Sequence, residues 1–122
     1  MDYKLCFVAG GGAETRERTS RIIRDNNLLC IEIDTIDQVI DACKTIIPEM
    51  IVLDDEHSCV EINQWVGKLR SLPRGNGPTV LLREPPSHLR GEKEHAGRSV
   101  DRLHVLHNTH FHEELRFFLQ DI

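Results

Sequence analysis

No apolar run in this 122-residue sequence approaches the length needed to cross a bilayer. The opening Met1-Asp-Tyr-Lys4 carries no apolar segment of the kind found in a secretory leader. A cytoplasmic location with no membrane contact is therefore expected. Positive charge is not in excess either: 15 Lys and Arg stand against 20 Asp and Glu, a net charge of −5, and the basic residues are not interleaved with aromatics. Both features argue against direct binding of nucleic acid. The four cysteines, Cys6, Cys30, Cys43 and Cys59, form no Cys-x-x-Cys pair. The first three fall in apolar patterns and read as small core residues of a reducing compartment, with a disulfide framework the less favoured reading. Repeats and linkers are absent, so residues 1–122 are expected to form one domain, which is long enough to bury a core without staples. An apolar fraction of 39% and a charged fraction of 29% are those of a folded chain.

What is present begins with the stretch Pro48-Glu-Met-Ile-Val-Leu-Asp-Asp-Glu56. Four apolar residues without alternation read as a strand buried on both faces, the habit of a central parallel strand. They run directly into Asp54, Asp55 and Glu56. Other short apolar runs lie at Leu5–Val8, Leu28–Ile33, Thr79–Leu82 and Leu103–Leu106. Helical spacing appears between them. A helix is expected from Glu14 to about Asn26, with a thin core side of Ala13, Ile22 and Ile23, and Asn26-Asn27 as its stop. A second is marked by Ile36, Val39, Ile40, Cys43, Ile46 and Ile47, with Asp34-Thr35 before it as a cap. A third is marked by Ile62, Trp65, Val66 and Leu69 after a loop at His57-Ser-Cys59. The last is marked by Phe111, Leu115, Phe118, Leu119 and Ile122. Residues 83–99 carry little apolar character and are expected to form a mobile loop or a short exposed helix near Leu89–His95. Alternating strands and helices predict an α/β domain, a (βα)5 flavodoxin-like doubly wound parallel sheet in the order 2-1-3-4-5. In that architecture chemistry sits beyond the carboxyl ends of the strands that flank the switch point, here the first and third.

The element order and spacing, the run Pro48-Glu-Met-Ile-Val-Leu-Asp54, and the closing Phe111-His-Glu-Glu-Leu115 resemble the receiver domains of bacterial response regulators. The resemblance spans the whole chain. It implies a two-component signalling module, with Asp54 in the place of the phosphoacceptor and a protein partner such as a kinase or an output domain. It also allows residues 1–122 to be the N-terminal domain of a longer regulator. Receiver chemistry requires an acidic pair after strand one to hold Mg²⁺, a hydroxyl after strand four and a lysine after strand five. By the resemblance these positions fall on Ala9 and Gly10, on Arg83 or its neighbour, and on Asn108, with Thr109 where a proline would follow. The chain thus resembles a pseudo-receiver. Mg²⁺ binding is expected to be weak or absent, no metal site and no catalytic residue are assigned, and the expected function is signalling by protein–protein interaction rather than enzymatic.

Two alternatives remain at this point. Asp54 could be phosphorylated with Asp55 and Glu56 replacing the acidic pair. Or the Gly10-Gly-Gly12 turn could cradle an anion or nucleotide phosphate at a helix N-terminus, although it is neither a G-x-G-x-x-G nor a P-loop sequence. Arg83, as a cation at the end of strand four, is a candidate to bridge Asp54 and hold one switch state. His104, His107, His110 and His112 lack the spacing of a zinc site and read as a solvated, histidine-rich edge. Arg16, Arg18, Arg21 and Arg24 read as a solvated helix face or, by the resemblance, as a docking helix. The last strand and helix, with Phe111, Phe117 and Phe118 unable to point inward together, form the expected homodimer surface.

Overall fold

The structure is a computed structural model that describes residues 4–54, 59–75, 77–83, 103–106 and 110–120. Its elements in chain order are β1 (Lys4–Ala9), α1 (Ala13–Asp25), β2 (Leu28–Ile33), α2 (Ile36–Cys43), β3 (Met50–Leu53), α3 (Cys59–Arg70), β4 (Thr79–Arg83), β5 (Leu103–Leu106) and α4 (Phe111–Leu119). All strand pairs are parallel, and the order is β2-β1-β3-β4-β5. This is the α/β sheet expected from the sequence. The short helix considered near Leu89–His95 lies outside the described residues.

Each central strand is apolar without alternation because it feeds two cores. Phe7, Ala9, Ile51, Leu53, Val80 and Leu82 point to the side covered by α2 and α3. Cys6, Val8, Met50, Val52 and Leu81 point to the side covered by α1 and α4. The period of two then buries both sets at once. Trp65 ties the first layer together by donating its indole N–H to the Ile36 carbonyl at 2.7 Å.

Local chemistry sets the helix ends. Thr35 begins α2 with a reciprocal capping box: its Oγ1 accepts from the Gln38 N–H at 3.2 Å, and the Gln38 Oε1 accepts from the Thr35 N–H at 3.1 Å. Asn27, in the left-handed region at φ 67°, turns the chain from α1 into β2. Three expectations at element edges are corrected. The helical spacing of the sequence continues to Ile46 and Ile47, yet α2 ends at Cys43 and Ile46 is exposed, because the chain must turn back toward Pro48 and β3. Ala13, at the first position of α1, is exposed, and the inward positions of that helix are Thr19, Ser20, Ile22 and Ile23. Cys59, assigned to a loop, begins α3.

β1 and β3 are neighbours, with β2 on one side and β4 and β5 on the other. Their carboxyl ends form the crevice where strand order reverses.

Candidate functional site at the sheet switch point

Asp54 immediately follows β3. Its backbone N–H donates to the Ala9 carbonyl at 2.9 Å, extending the β1–β3 ladder by one bond and fixing the direction of the side chain. The residue is buried, at 2% exposure. In the adjoining ladder Leu53 pairs with Leu82, so Arg83 on β4 stands beside Asp54 by register. The guanidinium engages one carboxylate oxygen with two nitrogens: Nε donates to Oδ1 at 2.9 Å, and Nη2 donates to the same atom. The other oxygen, Oδ2, accepts from the Thr19 hydroxyl of α1 at 2.5 Å.

A fourth side chain reaches in from α4. His112 Nε2 lies 3.2 Å from Thr19 Oγ1. The hydroxyl has a single hydrogen and spends it on Asp54, so Nε2 carries a proton and donates to Thr19. Burial lowers the His112 pKa, opposed by the Asp54 charge and reinforced by Arg83, Arg18 and Arg116. The neutral tautomer with hydrogen on Nε2 satisfies both demands. Phe111, the residue before it, places its ring 4.1 Å from the Arg83 guanidinium carbon, a cation–π contact that holds the fork against the carboxylate. Asp54 is therefore clamped from β4, from α1 and, through two relays, from α4.

The glycine turn closes the remaining side. Gly10 and Gly11 have φ of 82° and 69°, and a Cβ on Gly11 would meet the Asp54 carbonyl oxygen at 2.5 Å. Only glycine satisfies both the dihedral and the approach. Arg16 locks this turn. It donates to the Gly11 carbonyl at 3.0 Å, bonds Asp34 at 3.0 Å and lies 3.9 Å from Glu32. Its side chain is mostly buried, so the reading of Arg16 as part of a solvated face is corrected. Beside Gly10 a cavity of about 360 Å³ is lined, among the described residues, by Asp34, Asp37, Glu61 and Lys68. With Asp34 paired to Arg16, the described lining still sets Asp37 and Glu61 against Lys68 and offers a phosphate group no excess of positive charge.

The sequence-level candidates thus separate. Ala9, Gly10, Asp54 and Arg83 meet in one crevice, whereas Asp55 and Asn108 lie outside the described residues. The described residues do not fit Mg²⁺. The cation wants several oxygen ligands, yet Ala9 and Gly10 have no side-chain oxygen, the Ala9 carbonyl is taken by Asp54 N–H, and both Asp54 oxygens are engaged. The histidine edge is corrected in part. His104 and His110 are exposed, His104 lying 5.0 Å from the Phe118 ring, but His112 turns into the site. His107 lies outside the described residues.

Thr19, Phe111 and His112 were not assigned to this crevice from sequence. One signal for Thr19 was legible: Thr19-Ser20 sits three residues before Ile22-Ile23, and polar residues on the inward stripe of a thin helix call for a buried partner. His112 had no comparable signal, because its contact depends on where α4 docks.

No family model matches this sequence, and neither does any curated protein. Among solved structures the chain is similar to one described as a transiently phosphorylated switch in bacterial signal transduction. The TM-score is 0.66 over 98% of this chain and 94% of that one, at 12% identity. The likeness is one of fold. The parallel α/β architecture is shared across nearly the full length of both chains.

Proposed function

We propose that this chain is a receiver-like signalling module held in one state by its own side chains, and that it works by protein–protein interaction without aspartyl phosphorylation. The observation that carries this reading is the clamp on Asp54. A carboxylate that attacks a phosphoryl group needs a free lone pair, an open approach and a counter-charge for the transferring oxygens. Here the lone pairs face Arg83 and Thr19, the approach is closed, and the counter-charge is already spent on the carboxylate itself. Arg83 instead neutralises the carboxylate permanently from inside the protein, where a phosphoryl group would add negative charge. Anion binding at Gly10–Gly12 is less favoured, because Gly11 packs on Asp54 and the adjoining cavity is acidic.

Output then rests on a constant surface. The face formed by β5 and α4 presents Val105 and Phe117, the latter 72% exposed. This face suits a protein partner or a second copy. Light scattering tests the second copy: Phe117→Glu should lower the average mass with unchanged thermal stability, and an unchanged mass would remove the homodimer from the account.

Beryllofluoride, a phosphoryl mimic, tests the fixed state. Titrated with Mg²⁺ against the amide spectrum, it should leave Gly10–Gly12, Thr19 and Asp54 unshifted. Saturable shifts at those residues would restore a working acceptor.

A further inference from the structure

A second constellation lies on the α1 side of the sheet, away from Asp54. Cys6 of β1 and Cys30 of β2 are direct partners in the parallel register, with Phe7–Ile31 and Leu5–Leu29 on either side. Partners in one register project to the same face, and both cysteines belong to the core shared with α1. Neighbouring strands run about 4.8 Å apart, inside the range of about 4.4–6.8 Å that a disulfide spans between Cα atoms. Both are free thiols. Cys6 is fully buried, its hydrogen otherwise turned to the Phe7 carbonyl at a long 3.6 Å, while Cys30 is half-buried.

The surroundings differ in a way that separates two roles. Burial raises the Cys6 thiol well above its ordinary range, and the neighbouring Cys30 adds to the rise. The Cys30 thiol is lowered to about 7, chiefly by the Cys6 thiol beside it, with help from Ser20 and Arg24 against the cost of burial and the charge of Glu32. Ser20 belongs to the same arrangement: its hydroxyl is buried and has no hydrogen-bond partner among the described groups. A thiolate on Cys30 would be the acceptor it lacks.

We propose that Cys6 and Cys30 form a reversible dithiol–disulfide pair, oxidised by a peroxide and reduced by an external dithiol. The half-exposed Cys30 is the attacking thiolate. Its sulfur gives an electron pair to one peroxide oxygen, the O–O bond breaks, and the departing hydroxide takes a proton to leave as water, giving a sulfenic acid. Cys6 then loses its proton and attacks that sulfur. The S–S bond forms, the S–O bond breaks, and a second water leaves. Two thiols and one hydrogen peroxide give one disulfide and two waters, and a dithiol returns two electrons and two protons. Directly opposed strand residues hold their Cβ atoms farther apart than the roughly 3.8 Å of a relaxed disulfide. The bridge must draw the edge strand β2 toward β1, and such a strained bridge is readily reduced.

The test is intact mass after hydrogen peroxide, with peptide mapping, on the full chain and on Cys30→Ser, Cys6→Ser and the Cys43→Ser/Cys59→Ser double variant. The wild type and the double variant should lose about 2 Da, map to a Cys6–Cys30 bridge and recover with dithiothreitol. Cys30→Ser should lose the bridge, a result that stands even if Cys6→Ser does not fold. An unbridged sulfinic Cys30, a bridge to Cys43 or Cys59, a Cys30–Cys30 dimer, or no reaction would overturn the proposal. None of these outcomes depends on Asp54.

Discussion

At the scale of single residues, the central feature is a buried carboxylate enclosed by its neighbours. Asp54 is buried with its charge answered by Arg83, and removing one partner of such a pair leaves the other charge unpaired, at a cost of about 3–5 kcal/mol. Replacing both by apolar groups removes the charges together and costs much less. Arg83→Met should therefore lower the urea-derived stability by about 3 kcal/mol, and Asp54→Leu/Arg83→Met should recover at least half of that loss. Strictly additive effects would show that the two side chains do not act as a unit. The ion pair was legible in the sequence as an aspartate and an arginine ending adjacent strands. Its depth was not, because the hydroxyl of Thr19 and the ring of Phe111 complete the enclosure from helices whose docking no local pattern reveals.

At the scale of elements, α4 and the glycine turn both hold the clamp. Besides the Phe111 ring on Arg83, α4 does so through His112, whose pKa is lowered from 6.5 mainly by burial. The unfolded chain therefore takes up this proton first as pH falls. The His112 contribution is complete above about pH 6.5 and declines below it, until the folded chain is protonated as well. Asp54, Arg83, Arg18 and Arg116 are the charges that set the balance. His112→Gln keeps a donor without a titration, so the wild type should lose more stability than this variant between about pH 7 and pH 5. Parallel curves would place His112 outside the network. The turn acts through Gly11: Gly11→Ala puts a Cβ against the Asp54 carbonyl at positive φ and should cost about 1–3 kcal/mol in thermal or urea unfolding. An unchanged midpoint would mean that the turn gives way freely.

The elements themselves were the most legible part of the chain. Unalternating strands and the helical spacing at Ile62, Trp65, Val66 and Leu69 are set by burial, which repeats along the sequence. Where the expectations failed, the deciding contact was nonlocal. Ile46 and Ile47 keep the spacing of α2 beyond its end, and Arg16 bends back across the glycine turn to Asp34 instead of facing solvent.

At the scale of the whole molecule, the sheet order is that of a fold shared with a bacterial phosphorylation switch, and at the carboxyl end of its β3 the Asp54 carboxylate is bound by Arg83 and Thr19. On the proposed reading the molecule offers its partners one surface rather than two. Phosphoryl transfer to Asp54 would have to break the guanidinium fork, displace the Thr19 hydroxyl and bring a cation to a crevice where Ala9 and Gly10 offer no side-chain oxygen. The most direct measurement is intact mass after incubation of the wild type with acetyl phosphate and Mg²⁺, beside Asp54→Asn. The account predicts no phosphoryl adduct on either protein. An adduct on the wild type that is absent from Asp54→Asn would contradict it and establish Asp54 as a working phosphoacceptor.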